Sequence, residues 1–228
     1  MKTKNILNSK RKRNKIIDLL IIVFVLVGTY FIAKPFVYQY LNERKAQDVA
    51  ALVQKNKQKN IAAKRSKLAK SKDTYNGRDV KAITKEAYQN SNPDKILFKY
   101  GIGEIRFVER KQVVPVMEGV TEQALLVGAG TLKPNQEPGK GNFALIGHAM
   151  GTKESPILFS MVASLKSGEH VKLTVGKKAA TYKITKKKVI SPYDMKWMQD
   201  SQGKGLITLF SCTADSQHRW MVRGKLVN

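Results

Sequence analysis

At 228 residues the chain suits one packed domain plus accessory segments, and its single cysteine rules out an intramolecular disulfide, so stability must come from packing. The formal charge of +25 is unevenly placed: residues 1–72 hold 18 Lys/Arg against 3 Asp/Glu, and residues 73–228 hold 24 against 14. Such an excess asks for an anionic neighbour, but not nucleic acid, because no nucleic-acid motif is present and the aromatics are not interleaved with the basic clusters.

Residues 1–18 form a basic tail, with seven Lys/Arg between residues 2 and 15. Residues 19–37 follow as an apolar run whose only charge is Lys34, near its end, where the long stem reaches the interface. A helix of about 20 apolar residues spans the roughly 30 Å hydrocarbon core. Phe31-Ile32-Ala33 offers no small-x-small cleavage site, so the run reads as an uncleaved single-pass anchor. Its amino-terminal flank is richer in Lys/Arg than the three that follow between Lys34 and Ala50. The positive-inside rule then places the amino terminus in the cytoplasm and everything beyond the membrane outside the cell.

Residues 38–76 contain no Pro or Gly and are rich in Ala, Lys, Gln and Asn, the texture of a polar helical stalk or linker. Tyr75-Asn76-Gly77 marks a boundary turn, and 77–228 form the globular domain. Asp79 to Asn90 reads as one amphipathic helix. From about residue 93 short β-rich runs predominate: Ile96–Tyr100, Glu104–Val108, Val113–Met117, Phe143–Ile146, Val171–Val175, Ala180–Ile190, Leu206–Phe210 and Trp220–Val222. Gly176-Lys177-Lys178 turns one strand into the next, and short helices are expected at Thr121–Val127 and Pro156–Leu165. The pattern predicts a mainly β fold, a closed barrel of eight strands with short helices, behind a transmembrane helix and stalk.

The chemistry-bearing residues stand where buried strands end. Cys212 closes the run Leu206–Phe210, and Arg219 comes seven residues later in the next strand. A thiol beside a guanidinium is a candidate nucleophile, since a positive neighbour favours the thiolate, although a lone free cysteine is often a small buried hydrophobe. A thiol kept outside the membrane without a partner to pair with weighs toward a catalytic role. His148 ends Phe143-Ala144-Leu145-Ile146-Gly147 in the same manner, whereas His170 lies in a polar turn and His218 next to Arg219. Arg223 competes with Arg219: a separation of four puts both on one strand face, so parity does not choose between them.

Three stretches resemble the sortases, the transpeptidases that attach proteins to Gram-positive cell walls. Ile207-Thr208-Leu209-Phe210-Ser211-Cys212 resembles the Thr-Leu-x-Thr-Cys signature, with Ser211 in place of threonine. Leu126–Thr131 followed by Asn142–His148 is similar to the segment leading to the family's histidine, and His218–Val222 to the strand carrying its arginine. Within the family the pattern is most like class A: residues 73–95 carry no Asp-Pro-aromatic lid, and the chain stops at Asn228, soon after the last strand.

The resemblance implies a membrane-anchored cysteine transpeptidase with Cys212, His148 and Arg219 as catalytic residues. Its partners would be secreted proteins bearing a Leu-Pro-x-Thr-Gly (LPxTG) sorting signal and a lipid-linked peptidoglycan precursor. Arg219 is preferred to Arg223 for its better motif match, and a hydroxyl at position 211 is expected beside the nucleophile. Some class A members bind calcium; Glu118 and Glu122 stand near a matching position, but no metal or other cofactor is assigned. The loop 191–204, with Pro192, Tyr193, Met195 and Trp197, is either a wall of the signal groove or a surface loop packed back on the barrel. Two rivals are an L,D-transpeptidase, whose Ser-His-Gly-Cys-like run is absent, and a non-enzymatic anchored barrel binding an anionic wall polymer.

Overall fold

The computed structural model describes residues 2–55, 61–76, 82–151, 156–200, 203, 205–213 and 215–227. Two compact units divide the chain, one up to Leu41 and one from Asn42 to Asn228. The first lies within a long helix, α1 (Lys2–Lys55), whose apolar stretch is long enough to cross a membrane and carries exposed side chains such as Phe24, Phe31 and Ile32. An apolar helix with an outward-facing apolar surface has a favourable place in lipid, so α1 fits a single-pass anchor.

The second unit is built on ten strands: β1 (Gly101–Phe107), β2 (Gln112–Met117), β3 (Ala129–Thr131), β4 (Asn142–Gly147), β5 (Ala149–Gly151), β6 (Pro156–Leu158), β7 (His170–Val175), β8 (Lys178–Ile190), β9 (Leu206–Cys212) and β10 (Arg219–Leu226). Eight close into a barrel in the order β1-β2-β3-β4-β9-β10-β8-β7, while β5 and β6 form a separate hairpin. Closure leaves no unpaired edge, and alternation then sorts side chains inward and outward. Phe107, Phe143, Leu145, Leu173, Tyr182, Ile207, Leu209 and Val222 fill the inside. Their neighbours point outward, and on β4, β9 and β10 these outward residues are also apolar: Ala144, Phe210 and Met221, joined by Ile190 and flanked by Ile146, Trp197 and Met198. A second, smaller apolar floor therefore lies on the outer face of those strands.

Asn42–Tyr75, within the stretch expected to be a polar stalk, contributes to this second unit. Val49 and Val53 are buried with Leu97, Tyr100 and Met117. Lys45 Nζ donates to the carbonyls of Tyr88, Gln89 and Ser91 at 2.6–2.8 Å, closing the C-terminal end of α3 (Lys85–Asn90). In α2 (Ile61–Ala69), Arg65 Nε reaches Glu118 at 2.6 Å, and the hydroxyl of Tyr75 donates to the other Glu118 oxygen at 2.5 Å. The alternating polar composition concealed this because its contacts are made by isolated valines and by charged tips, not by an apolar stripe.

Three local expectations need correction. Ile96–Tyr100 is not a strand but the end of helix α4 (Pro93–Tyr100): Pro93 opens the first turn and the Asn92 side chain accepts from the Lys95 N–H at 3.1 Å, so the cap overrides the β-favouring residues. Pro156–Leu165 is strand β6 followed by a 3₁₀ turn, Ser160–Ser164, not one helix. The helix expected from Asp79 begins at Lys85, with Thr84 as its cap; residues 77–81 lie outside the described residues.

Candidate active site on the outer face of the barrel

Register decides which side chains meet. β4 and β9 run parallel, paired from Asn142–Leu206 to Gly147–Ser211. His148 follows Gly147, the last paired residue of β4, and Cys212 follows its partner Ser211 at the end of β9, so the register carries both residues to the same end of adjacent strands. β9 and β10 are antiparallel, and there Cys212 stands directly opposite Arg219. Histidine, cysteine and arginine thus form one row across β4, β9 and β10. Directly opposed residues share a face, and the inward positions Leu145, Leu209 and Val222 leave Ile146, Phe210 and Met221, and hence the row next to them, on the outer side. Cys212 is free and partly exposed. It sits at the edge of the apolar floor made by Phe210, Met221 and Ile190.

The two arginines, equivalent by parity, differ in what they hold. Arg223 stands opposite Thr208, donates from Nε to the Thr208 hydroxyl at 3.1 Å and from Nη2 to the Trp197 carbonyl at 2.6 Å, and stacks over the Trp197 ring. It fastens the β8–β9 loop to the barrel. Arg219 stands opposite Cys212, and among the described residues its Nη1 donates to backbone carbonyls of the adjoining loop, Ser216 at 3.0 Å and His218 at 2.9 Å. Its guanidinium is held at the rim with donors to spare.

Part of the β8–β9 loop packs back on the barrel. Trp197 packs back onto the barrel and bonds through Nε1 to Asp194 at 3.0 Å, while Tyr193 is 88% exposed. Asn142 anchors the same loop: its side-chain N–H groups donate to the carbonyls of Trp197 and Gln199 at 2.9 and 3.0 Å, and its oxygen accepts from the Thr208 hydroxyl at 2.8 Å.

One expectation about the surroundings of Cys212 is corrected. The Ser211 hydroxyl is not beside the nucleophile; it faces the opposite side of the strand, fully buried and without a hydrogen-bond partner among the described residues. Alternation imposes this on any residue adjacent to Cys212 in β9. The backbone N–H of Thr213, a candidate oxyanion donor, is already engaged with the His218 carbonyl at 3.1 Å. His218 itself is exposed, 3.7 Å from Asp215, and His170 is tied to Glu109 at 2.8 Å, so neither joins the row.

His148 is half-buried, and burial holds its imidazole below the ordinary histidine range. The Glu122 carboxylate, at the first residue of α5 (Glu122–Leu125), pulls it upward and the Arg219 charge pushes it down. Glu122 is thus a site residue that sequence reasoning associated only with calcium; its place four residues after Glu118 carried no signal of proximity to His148. Glu118 is fully buried and committed to Arg65 and Tyr75. No group of three or more His, Cys, Asp or Glu that could hold a metal occurs among the described residues.

A family model for the sortase domain matches residues 105–227, which contain the whole row. The chain belongs to the sortase family. Sortase A of Bacillus anthracis is 33% identical over 220 residues, covering 94% of this chain and 96% of that protein. Sortase A of Streptococcus agalactiae is 32% identical over 161 residues, 69% of this chain and 65% of that protein. The crystal structure of Listeria monocytogenes sortase A superposes with a TM-score of 0.52 at 28% identity, over 57% of this chain and 88% of the other. In this sortase the barrel is therefore the family barrel.

Proposed function

We propose that this protein is a class A sortase: a membrane-anchored cysteine transpeptidase that cuts an LPxTG-type signal between Thr and Gly and joins the protein to a cell-wall precursor. Family membership supports cell-wall transpeptidation as the general activity, and two relatives named sortase A support the class. The observation that carries the residue assignment is the register row, with Cys212 flanked by His148 on one strand and Arg219 on the other.

In this mechanism the Cys212 thiol gives its proton to His148, and the sulfur attacks the threonine carbonyl carbon, forming a C–S bond and a tetrahedral oxyanion. Collapse breaks the Thr–Gly C–N bond, and the His148 imidazolium gives its proton to the departing glycine amine, leaving an acyl thioester. The amine of the wall precursor then attacks the thioester, His148 takes up the amine proton, and the Cys212 sulfur leaves. An imidazole held below its usual range parts with its proton readily, which suits the transfer to the glycine amine. Arg219, with spare N–H donors, neutralises the oxyanion; such a donor is worth on the order of 3 kcal/mol.

The test is turnover of an LPxTG peptide with a glycine acceptor by the full chain in detergent. Transpeptidation that disappears in Cys212→Ala supports the reading. Product formation surviving that substitution overturns it.

A further inference from the structure

Between residues 170 and 190 the chain places seven lysines and no acid. Strand pairing arranges them. A bulge in the β8–β10 pairing, where Arg223 faces Lys186 and Gly224 faces Ile184, inserts Thr185 as an extra residue. Because the bulge resets the alternation, Lys183, Lys186 and Lys188 all point to the outer face, although their numbers differ in parity. Lys183 is directly opposite Lys225 on one side and His170 on the other, and Lys186 is directly opposite Arg223. Like charges directly opposed across strands destabilise a sheet, so a barrel selected for stability alone would interleave acids here. Lys183, Lys188 and Lys225 are exposed and take part in no ion pair among the described residues.

The row of cations has a direction. Along β8 the outer positions run Lys183, Lys186, Lys188 and Ile190, and Ile190 is paired with Arg219, which is paired with Cys212. The track therefore ends at the candidate reaction centre. Beyond the bulge, from Lys186 to Ile190, its repeat is about 6.8 Å for two residues, that of side chains on one face of an extended peptide.

We propose that an acidic, extended segment flanking the sorting signal of the protein substrate docks on Lys183, Lys188 and Lys225, so that this sortase selects substrates by the charge beside the signal as well as by the signal. The proposal rests on the transpeptidase reading. An extended acidic segment laid along β8 meets Lys188 near the centre and the Lys183/Lys225 pair farther out while the signal lies over Cys212. Two or three exposed pairs amount to roughly tenfold in kcat/KM, which is about 1.4 kcal/mol.

The test uses the full chain in neutral detergent with four LPxTG peptides: neutral flanks, alternating Glu before the signal, alternating Glu after it, and alternating Lys on either side. One acidic peptide is expected to exceed the neutral one about tenfold in kcat/KM at low salt, through KM, with the advantage largely gone near 0.5 M salt, where screening acts within a few Å. The triple variant Lys183→Gln/Lys188→Gln/Lys225→Gln should erase the advantage and leave neutral-peptide turnover unchanged. The corresponding triple Glu variant should favour the Lys-flanked peptide. Equal turnover of all four peptides, an advantage that survives the triple variant, or an effect of the variant confined to the KM of the amine acceptor overturns the proposal. If the neutral peptide is not turned over at all, the transpeptidase reading has failed, and binding of the acidic peptide by anisotropy then decides the track on its own.

Discussion

Arg219 and Arg223 stand four residues apart on one face of one strand, yet the structure gives them different work. Arg223 is spent on Thr208 and the Trp197 carbonyl, so Arg223→Ala should lower stability by about 2 kcal/mol through two lost charge-assisted hydrogen bonds, read as a fall in Tm. Arg219→Ala should leave Tm nearly unchanged and cut kcat by about 10²–10³, the loss associated with one oxyanion donor. The reverse pattern would exchange their roles. Ser211 supplies a sharper contrast. Its hydroxyl is buried without a partner, so Ser211→Ala should retain full activity and match or exceed the parent in stability by up to about 1 kcal/mol. His148 adds a pH dependence. Its folded-state value lies below the ordinary one, so the unfolded chain binds the proton more tightly. Stability from this group is fully present above the ordinary histidine range, about 6.5, and declines as pH falls below it. Glu122→Gln should lower the His148 midpoint further and Arg219→Gln should raise it, measured by NMR titration of the imidazole; shifts in the opposite directions would contradict the placement of those charges.

Among the elements, β4, β9 and β10 were the most legible. Their apolar runs, each ending on a polar or reactive residue, signal both the strands and the rim. What the sequence does not display is register, because pairing partners lie far apart in the chain: nothing in residues 142–148 states that β4 lies parallel to β9. Only that pairing turns two strand-end residues into neighbours. The resemblance supplied the grouping; at Ser211 the hydroxyl was expected beside the nucleophile and lies on the other face. Helix α4 was missed because a cap and a proline outweigh β-favouring side chains. The packing of residues 42–76 was missed because it is made by single residues, Arg65 above all. With Glu118 fully buried, Arg65→Ala leaves a carboxylate supported by Tyr75 alone and should cost about 3 kcal/mol, read by chemical denaturation. For the same reason a fragment beginning at residue 77 should be less stable than one beginning at residue 42; equal stability would show these contacts to be dispensable.

At the scale of the whole molecule, three features coincide: an apolar helix suited to a bilayer, a closed barrel, and a reactive row on the barrel's outer surface. An outward-facing site suits a polymeric substrate, since a long chain can lie across it without threading. The central claim is that the Cys212 sulfur becomes acylated by the signal. Its most direct measurement is intact mass spectrometry of the full chain in detergent, mixed with an LPxTG peptide without an amine acceptor and quenched in acid. The predicted result is an adduct equal to the peptide's part through threonine, mapped to Cys212, absent in Cys212→Ala and discharged when triglycine is added. Peptide cleavage at the same bond with no adduct at Cys212, or cleavage undiminished in Cys212→Ala, would contradict it.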